Sequence, residues 1–343
     1  MKKKLISIFA VVFALTVFTG SVSAHWDNAY WNETDRAQCR TGWLNSVSND
    51  RKLSEVSLPG TQVSMAYNSN LVHGVRTQAM NLFHQLQSGV RVFDIRLKHE
   101  AGYKLLCYNG PVYLGYDLRD VFDELNQFLY DNPTEFVVLR LEQEHSNSSD
   151  EDFAQAFRKY HYPTYQQRIY NGGKQNPTVG ELRGKILLTS SNKGIAQYGV
   201  SYQSINKQDS NYLGSNWDLY SKWEKIKNQF TNSNNGRNSG TTYMNYITGY
   251  GGAMPYFVAS GHSSPGTGAA RLATGLTEPG FHNYYPDFPR VNWFLCFATI
   301  AYEGTNTLTA NYLNNNKIQN AGMVMADFPG ERLINAIIAC NSR

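Results

Sequence analysis

Charged and amide side chains stand directly after several short apolar runs of this chain, where they could bind or transform a polar ligand. Arg96 closes one run two residues after Asp94, Asn109 and Glu142 close two others, and Asp327 follows a fourth. If these runs are parallel strands of one barrel, their carboxyl ends meet at one mouth. The side chains would then share a single site.

Arg96 and Asp94 alternate with Ile95, so in a strand both project from the same face. Because a buried unpaired charge is costly, we expect Arg96 to be paired with Asp94 or Asp327 when no ligand is bound. Such an arginine either binds an anion that enters the mouth or serves only as a structural partner. The residues by themselves leave both interpretations open.

The apolar runs are typical of strands. Several are rich in Val, Ile, Phe or Tyr, and most are followed by a loop and then by a helical pattern, an alternation that favours a parallel sheet with helices outside it. We therefore predict an α/β fold, a single (β/α) TIM-like barrel. The predicted strands are Glu55–Leu58, Val90–Ile95, Leu105–Tyr108, Phe136–Leu141, Ile186–Leu188, Met244–Ile247 and Met323–Ala326.

Helical periodicity is clearest over Leu118–Tyr130, which follows Asp117, a suitable N-cap. The Gly-, Ser- and Pro-rich segment 249–290 has little periodicity and, at about 40 residues, is long for a loop. It is either a functional surface or contains an element that the pattern does not reveal. Further helices are predicted around Asp152–Tyr160, Leu219–Phe230, Thr307–Asn314 and Glu331–Ile338.

The first 24 residues have the pattern of a secretory signal peptide. Three lysines at positions 2–4 precede an apolar run over 5–18, and small residues follow at 22–24. We expect cleavage after Ala24 and secretion of the protein, with residues 25–343 forming the barrel domain. No later segment approaches the roughly 18 apolar residues of a membrane span, so the mature protein is expected to be soluble or peripheral.

Composition excludes other classes of protein. With 41% hydrophobic and 13% aromatic residues among 343, the chain is neither disordered nor fibrous. Its formal net charge of +4 includes the three leader lysines, and the remaining 28 basic and 27 acidic residues nearly balance. Because no basic stripe remains, nucleic-acid binding is not expected.

The four cysteines, Cys39, Cys107, Cys296 and Cys340, are too far apart for the CxxC spacing of a zinc site. Export would permit disulfides, with three possible connectivities if all four pair. Buried free thiols are an equally good interpretation, and we assign the cysteines no chemistry.

Six motifs occur in a fixed order beside the predicted strands. They read Ser57-Leu58-Pro59-Gly60-Thr61, Phe93-Asp94-Ile95-Arg96, Asn109-Gly110-Pro111-Val112-Tyr113, Asn132-Pro133-Thr134-Glu135, Arg183-Gly184-Lys185-Ile186 and Met325-Ala326-Asp327-Phe328. In this order, over about residues 51–340, the chain resembles the X domain of bacterial phosphatidylinositol-specific phospholipases C. The resemblance implies a somewhat irregular (β/α) barrel that cleaves phosphatidylinositol or glycosyl-phosphatidylinositol anchors.

The resemblance also implies a mechanism. The inositol 2-hydroxyl attacks phosphorus and releases diacylglycerol, with one histidine as general base, a second as general acid, and carboxylates that orient them. An arginine stands where eukaryotic relatives bind calcium, and Arg96 after Asp94 is similar to that metal-free form, so no metal or cofactor is expected. The expected partner is an inositol lipid head group, met by a peripheral monomer at a membrane surface.

The proton carriers of the family are replaced in this chain. The family motif G-T-H-D reads Gly60-Thr61-Gln62-Val63, so the general-base histidine corresponds to Gln62 and its aspartate to Val63. The motif H-G-P begins with Asn109, which therefore takes the place of the general acid. Neither amide titrates in the physiological range. We expect catalysis by the family mechanism to be severely impaired.

The surrounding shell is partly retained. A lysine of the family falls at Glu142, which reverses the charge, and an arginine falls at Ser190 or Ser191. By the same resemblance, Asp94, Arg96 and Asp327 are the retained catalytic residues, and Glu142, Glu144 and Asp209 are expected to bind substrate.

Several of these residues also have structural interpretations. Asn109-Gly110 between apolar runs is a strong hairpin signal, and Asp327 could cap the helix that follows it. His145 and His262, on predicted loops near the mouth, could replace a lost proton carrier or be merely solvated. Three functions therefore remain open: an impaired phospholipase C, a pseudoenzyme that binds an inositol lipid or glycan, or an exported toxin or adhesin component that uses the barrel as a scaffold.

Overall fold

The computed structural model describes residues 29–102, 104–262, 273–279, 285–295 and 297–343. Its strands are β1 Leu58–Thr61, β2 Val92–Glu100, β3 Lys104–Asn109, β4 Val112–Asp117, β5 Val137–Gln143, β6 Ile186–Ser190, β7 Gly199–Ser201, β8 Asn206–Gln208, β9 Tyr212–Leu213, β10 Tyr243–Tyr246, β11 Tyr250–Gly251, β12 Ala273–Pro279, β13 Arg290–Phe294, β14 Phe297–Ala301 and β15 Met323–Ala326. Its α-helices are α1 Leu82–Ser88, α2 Leu118–Asp131, α3 Asp150–Tyr160, α4 Tyr162–Tyr165, α5 Val179–Leu182, α6 Lys193–Ala196, α7 Leu219–Asn235, α8 Pro255–Ser260, α9 Thr305–Asn315 and α10 Glu331–Ala339.

The centre of the molecule is a curled parallel sheet with helices outside it, an α/β TIM-like barrel as predicted. The strands lie in the order β7-β6-β5-β2-β1-β15-β10-β8, and each neighbouring pair along this path is parallel. Continuous runs of branched apolar residues suit such strands, since both faces are covered. The barrel holds one apolar cluster, and two others lie between the sheet and the outer helices.

The third predicted strand has a different role from the one expected. β3 is antiparallel to both β2 and β4, and the hairpin closes where Asn109 pairs with Val112. Gly110 makes this turn possible, because its φ of 56° lies in the left-handed region. The hairpin interpretation is therefore correct, and the placement of Asn109 on a parallel barrel strand is wrong.

Two other sequence-based boundaries are corrected. The predicted strand Glu55–Leu58 lies three residues early, because Leu53–Glu55 forms a 3-10 turn before β1. Segment 249–290 contains β11, α8 and β12, which the pattern did not reveal. By contrast, Asp117 caps α2 as predicted, since its side chain accepts hydrogen bonds from two backbone N–H groups of the first turn.

Cys39, Cys107 and Cys340 are free thiols, whereas Cys296 lies outside the described residues. The predicted signal peptide, residues 1–24, also lies outside them. Within the described ranges, none of the helices has both the length and the apolar character needed to cross a bilayer.

Candidate active site

Strand alternation places four charged side chains inside the barrel. On β2, Phe93 and Ile95 pack in the outer apolar cluster, so Asp94 and Arg96 point the other way, above the apolar barrel floor that contains Val92. On β5 the same alternation turns Arg140 and Glu142 inward. The parallel register sets Asp94 level with Arg140 and Arg96 level with Glu142.

Asp94 is the buried centre of this group. Its Oδ1 accepts a hydrogen bond from Arg140 Nη1 at 2.5 Å, and its Oδ2 accepts from Arg96 Nε at 3.3 Å and from the Val63 N–H at 3.4 Å. Burial alone would raise the pKa of Asp94, but the two guanidinium groups hold it below its ordinary value. Asp94 is therefore an ionised structural anchor beneath the mouth.

Arg96 stands above Asp94 and reaches the mouth, with 22% of its side chain exposed. Its Nη1 donates to Glu144 Oε2 at 3.2 Å, and Glu144 Oε1 accepts from the Gly110 N–H at 2.9 Å. The expected pairing with Asp94 is present, and the second partner is Glu144 rather than Asp327. Within the described part of the chain, Arg96 Nη2 has no partner.

A cleft of about 350 Å³ opens beside Arg96. The structure brings most of the sequence-predicted residues together around it, because the loops after β1, β5 and β15 and the tip of the β3–β4 hairpin converge there. The side chains of interest that line it are Gln62, Val63, Arg96, Asn109, Glu144, His145 and Asp327.

The two amides that the sequence motifs place at the family's histidine positions, Gln62 and Asn109, differ in their surroundings. Gln62 is 4% exposed, and its Oε1 has no hydrogen-bond partner among the described residues. Asn109 instead donates from Nδ2 to the Val75 carbonyl at 2.7 Å, which ties the hairpin to the neighbouring loop. Gln62 therefore keeps an unused acceptor at the cleft, whereas Asn109 is engaged structurally.

Asp327 lies on the deep wall of the cleft and is 2% exposed. Burial raises its pKa well above the ordinary value, although the charges of Arg96 and Lys222 oppose the shift. Asp327 Oδ1 has no hydrogen-bond partner in the part of the chain that the structure describes. The expected capping role is wrong: α10 is preceded by Gly330, and no side chain caps its first turn.

The remaining predicted residues lie outside the cleft lining. Glu142 accepts a hydrogen bond from Arg140 Nη2 at 2.9 Å, and Asp209 is exposed after β8. Ser190 is buried and donates to the Leu141 carbonyl, while His262 pairs with the Tyr30 hydroxyl at 2.9 Å.

Three residues at the mouth have a left-handed backbone without being glycine. They are Val63 at φ 43°, His145 at φ 46° and Phe328 at φ 46°, and each stands two residues after the end of a barrel strand. Such positions cost about 1–3 kcal/mol each and concentrate at functional sites. Their clustering supports this mouth as the functional end of the barrel.

Sequence analysis missed the polar interior beneath the mouth. Arg140 lies 4.2 Å from the centre of the Tyr202 ring, and Tyr202 shares a hydrogen bond with Tyr246. Lys222 Nζ donates to four oxygens, among them the Tyr246 carbonyl, and burial lowers its pKa to about 7. The alternation of Arg140 with Glu142 in an apolar run could have indicated that charged side chains point into the barrel.

Comparison with known proteins agrees with this geometry. Residues 54–192 match the family described as "Phosphatidylinositol-specific phospholipase C, X domain". The chain is 24% identical over 346 residues to a 1-phosphatidylinositol phosphodiesterase of Staphylococcus aureus (strain NCTC 8325 / PS 47), a match covering 92% of this chain and 100% of the relative. A protein of the same name from Listeria monocytogenes is 32% identical over 173 residues, which cover 47% of this chain and 52% of that protein.

Solved structures support the same fold. The phosphatidylinositol-specific phospholipase C from Listeria monocytogenes superposes with a TM-score of 0.66 at 23% identity, covering 88% of this chain and 99% of that chain. A variant of the Staphylococcus aureus enzyme gives a TM-score of 0.63 at 20% identity, with coverages of 86% and 97%. Residues 54–192 thus match the X domain of phosphatidylinositol-specific phospholipase C, and the chain shares the fold of these solved structures.

Proposed function

We propose that this chain is a secreted phospholipase C-like protein that binds the head group of phosphatidylinositol, or of a glycosyl-phosphatidylinositol anchor, and cleaves it only slowly. Its curated relatives are named 1-phosphatidylinositol phosphodiesterases. Secretion rests on the leader pattern of residues 1–24. The protein would meet its lipid as a peripheral monomer.

The observation that carries this proposal is the position of Arg96. Its Nη2 is unpartnered among the described residues and faces a cleft large enough for a polyol phosphate. Asp94 and Glu144 hold the other two nitrogens, so the guanidinium is already oriented for an incoming anion. An arginine fixed in this way binds phosphate without first losing side-chain freedom.

Slow turnover follows from the side chains beside Arg96. General acid or base catalysis contributes roughly 10²–10⁴ per group, and neither Gln62 nor Asn109 can supply it. Three carboxylates, Asp94, Glu142 and Glu144, also outnumber the two guanidinium groups at this end of the barrel. This balance weakens the attraction for an anionic head group.

No metal is required by this proposal, because Arg96 supplies the positive charge beside the phosphate. Addition of EDTA should leave head-group binding and product formation unchanged. A loss of either activity that Ca²⁺ restores would contradict this part of the proposal.

The test uses purified protein and vesicles that contain phosphatidylinositol in phosphatidylcholine. Sedimentation measures binding, and ³¹P NMR measures the cyclic inositol phosphate. Arg96→Ala should reduce both, whereas Arg158→Ala, which removes a surface arginine paired with Glu151, should change neither.

Each other outcome has a defined meaning. Wild-type turnover above about 1 s⁻¹, an ordinary enzymatic rate, would show that catalysis is not impaired. Absence of both binding and product would reject the proposed function. Binding without product would identify a pseudoenzyme, which the two amides favour as the second candidate.

A further inference from the structure

His145 is the one imidazole that the described residues place on the cleft wall. It stands two residues after β5, adjacent to Glu144, and its side chain is exposed to solvent. Its left-handed backbone, at φ 46°, turns the chain at this point. Its Nε2 lies 3.9 Å from the position that a Cβ atom on Gly110 would occupy, so the imidazole faces the hairpin tip.

Glu144 connects the parts of the chain that form this wall of the cleft. One carboxylate oxygen accepts from Arg96 and the other from the Gly110 N–H, so the β5 loop, the hairpin tip and the guanidinium are joined through one side chain. His145 is therefore placed at a fixed end of the cleft, next to the group that would bind phosphate. The titratable and charged side chains that line the cleft with it are Arg96, Glu144, Tyr250 and Asp327.

The two walls of the cleft differ in their exposure to solvent. Gln62 and Asp327, after β1 and β15, are 4% and 2% exposed, whereas His145 on the β5 side is exposed. The strand order β15-β1-β2-β5 puts Arg96 of β2 between these walls. With a polyol ring placed against the buried polar wall and the lipid's glycerol left outside the cleft, the leaving oxygen would lie on the side of His145.

We propose that His145 is the general acid of this cleft and protonates the glycerol oxygen as it leaves phosphorus. This inference rests on the proposed function. The inositol 2-hydroxyl oxygen forms a bond to phosphorus, and its proton passes to solvent water because Gln62 cannot accept it. The bond from phosphorus to the glycerol oxygen breaks, and that oxygen takes the Nε2 proton of the imidazolium. The neutral imidazole then regains a proton from water.

The experiment compares two leaving groups. Phosphatidylinositol in mixed vesicles releases an alkoxide, which needs a proton, whereas the 4-nitrophenyl ester of inositol 1-phosphate releases a phenolate, which does not. His145→Asn should lower cleavage of phosphatidylinositol by at least about tenfold more than cleavage of the nitrophenyl ester. Asparagine suits this test because it tolerates the left-handed backbone and carries no titratable proton.

A matched control is His73→Asn, which changes an exposed imidazole beside the cleft-lining residue Gly74. It should alter neither reaction. A second variant, His145→Gly, leaves space for added imidazole, and recovery of phosphatidylinositol cleavage in its presence would support the proposal.

Equal losses on the two substrates, or no loss on phosphatidylinositol, would overturn the role of His145. Wild-type protein that binds phosphatidylinositol vesicles but never cleaves the lipid would also overturn it, while leaving head-group recognition intact. Protein that neither binds the vesicles nor cleaves either substrate would instead reject the proposed function itself.

Discussion

Arg140 Nη1 donates to Asp94 Oδ1 across 2.5 Å, between side chains that stand level on neighbouring parallel strands. Asp94 is fully buried, and the Arg140 side chain is 9% exposed. Because Asp94 also accepts from Arg96, the orientation of the candidate phosphate contact depends on a pair that lies below the cleft. The ion pair inside the barrel therefore helps to hold Arg96 in its orientation at the mouth.

Replacement of Arg140 should therefore be costly. Arg140→Met removes the shorter of the two ion pairs of the buried Asp94 and leaves its Oδ1 without a donor, and breaking a buried pair costs about 3–5 kcal/mol of unfolding free energy. Urea denaturation measures the loss. The control Arg158→Met removes a surface pair and should cost at most about 1 kcal/mol. Equal small losses for the two variants would contradict the structural role of Arg140.

Restoration of the family's proton carriers should raise activity. In the triple variant Gln62→His, Val63→Asp and Asn109→His, two imidazoles enter the cleft, and Asp tolerates the φ of 43° at position 63 better than a β-branched residue does. Since each proton carrier contributes roughly 10²–10⁴, phosphatidylinositol cleavage should rise at least a hundredfold.

Product formation by ³¹P NMR checks this rise, and a variant with alanine at the same three positions is the control. No gain in the histidine variant, with vesicle binding retained, would mean that the charge reversal at Glu142 prevents productive binding of the head group.

The raised pKa of the buried Asp327 carboxyl makes stability depend on pH. Burial raises its pKa in the folded state, so the stability it contributes is complete below the unfolded value near 4 and is lost as pH rises through the folded value. Asparagine does not ionise, so the variant Asp327→Asn does not lose this stability as pH rises. As pH increases from 4 to 7, the unfolding free energy of the variant should therefore rise relative to wild type.

Urea denaturation at the two pH values tests the role of Asp327. Asp209→Asn, at an exposed site, is the control and should change the unfolding free energy by no more than about 0.5 kcal/mol. A pH-independent difference between Asp327→Asn and wild type would show that the carboxyl is ionised in the folded protein.

His161 has the opposite dependence on pH. Burial, with the nearby charge of Arg119, lowers its pKa to about 4, so stability is complete above the unfolded value near 6.5 and is lost as pH falls to the folded value. His161→Gln cannot take up this proton. Between pH 7 and pH 4, wild type should lose about 3 kcal/mol more than the variant.

Thermal unfolding across this pH range checks the prediction for His161, with the exposed His73→Gln as control. Parallel stability curves for His161→Gln and wild type would refute it. The other titratable groups are the same in both proteins, so their contributions to the unfolding free energy cancel in the comparison.

Periodicity in the sequence predicted β2, β5, β6, β10, β15 and the longer helices, because apolar spacing reports directly which face of an element is buried. It did not predict the direction of β3. The four-residue apolar run Leu105–Tyr108 has the same pattern in a parallel barrel strand and in a hairpin, and only its partner strands distinguish the two.

The sequence by itself predicted the barrel and the X-domain match of residues 54–192, and it placed Gln62 and Asn109 at the motif positions of the histidines, since these predictions depend on residue types in a fixed order. The tertiary structure alone decided that Glu144 joins Arg96 to Gly110, that burial raises the pKa of Asp327 and that His145 lines the cleft. These properties depend on distance and burial between loops far apart in the chain, and no local pattern of residues records them.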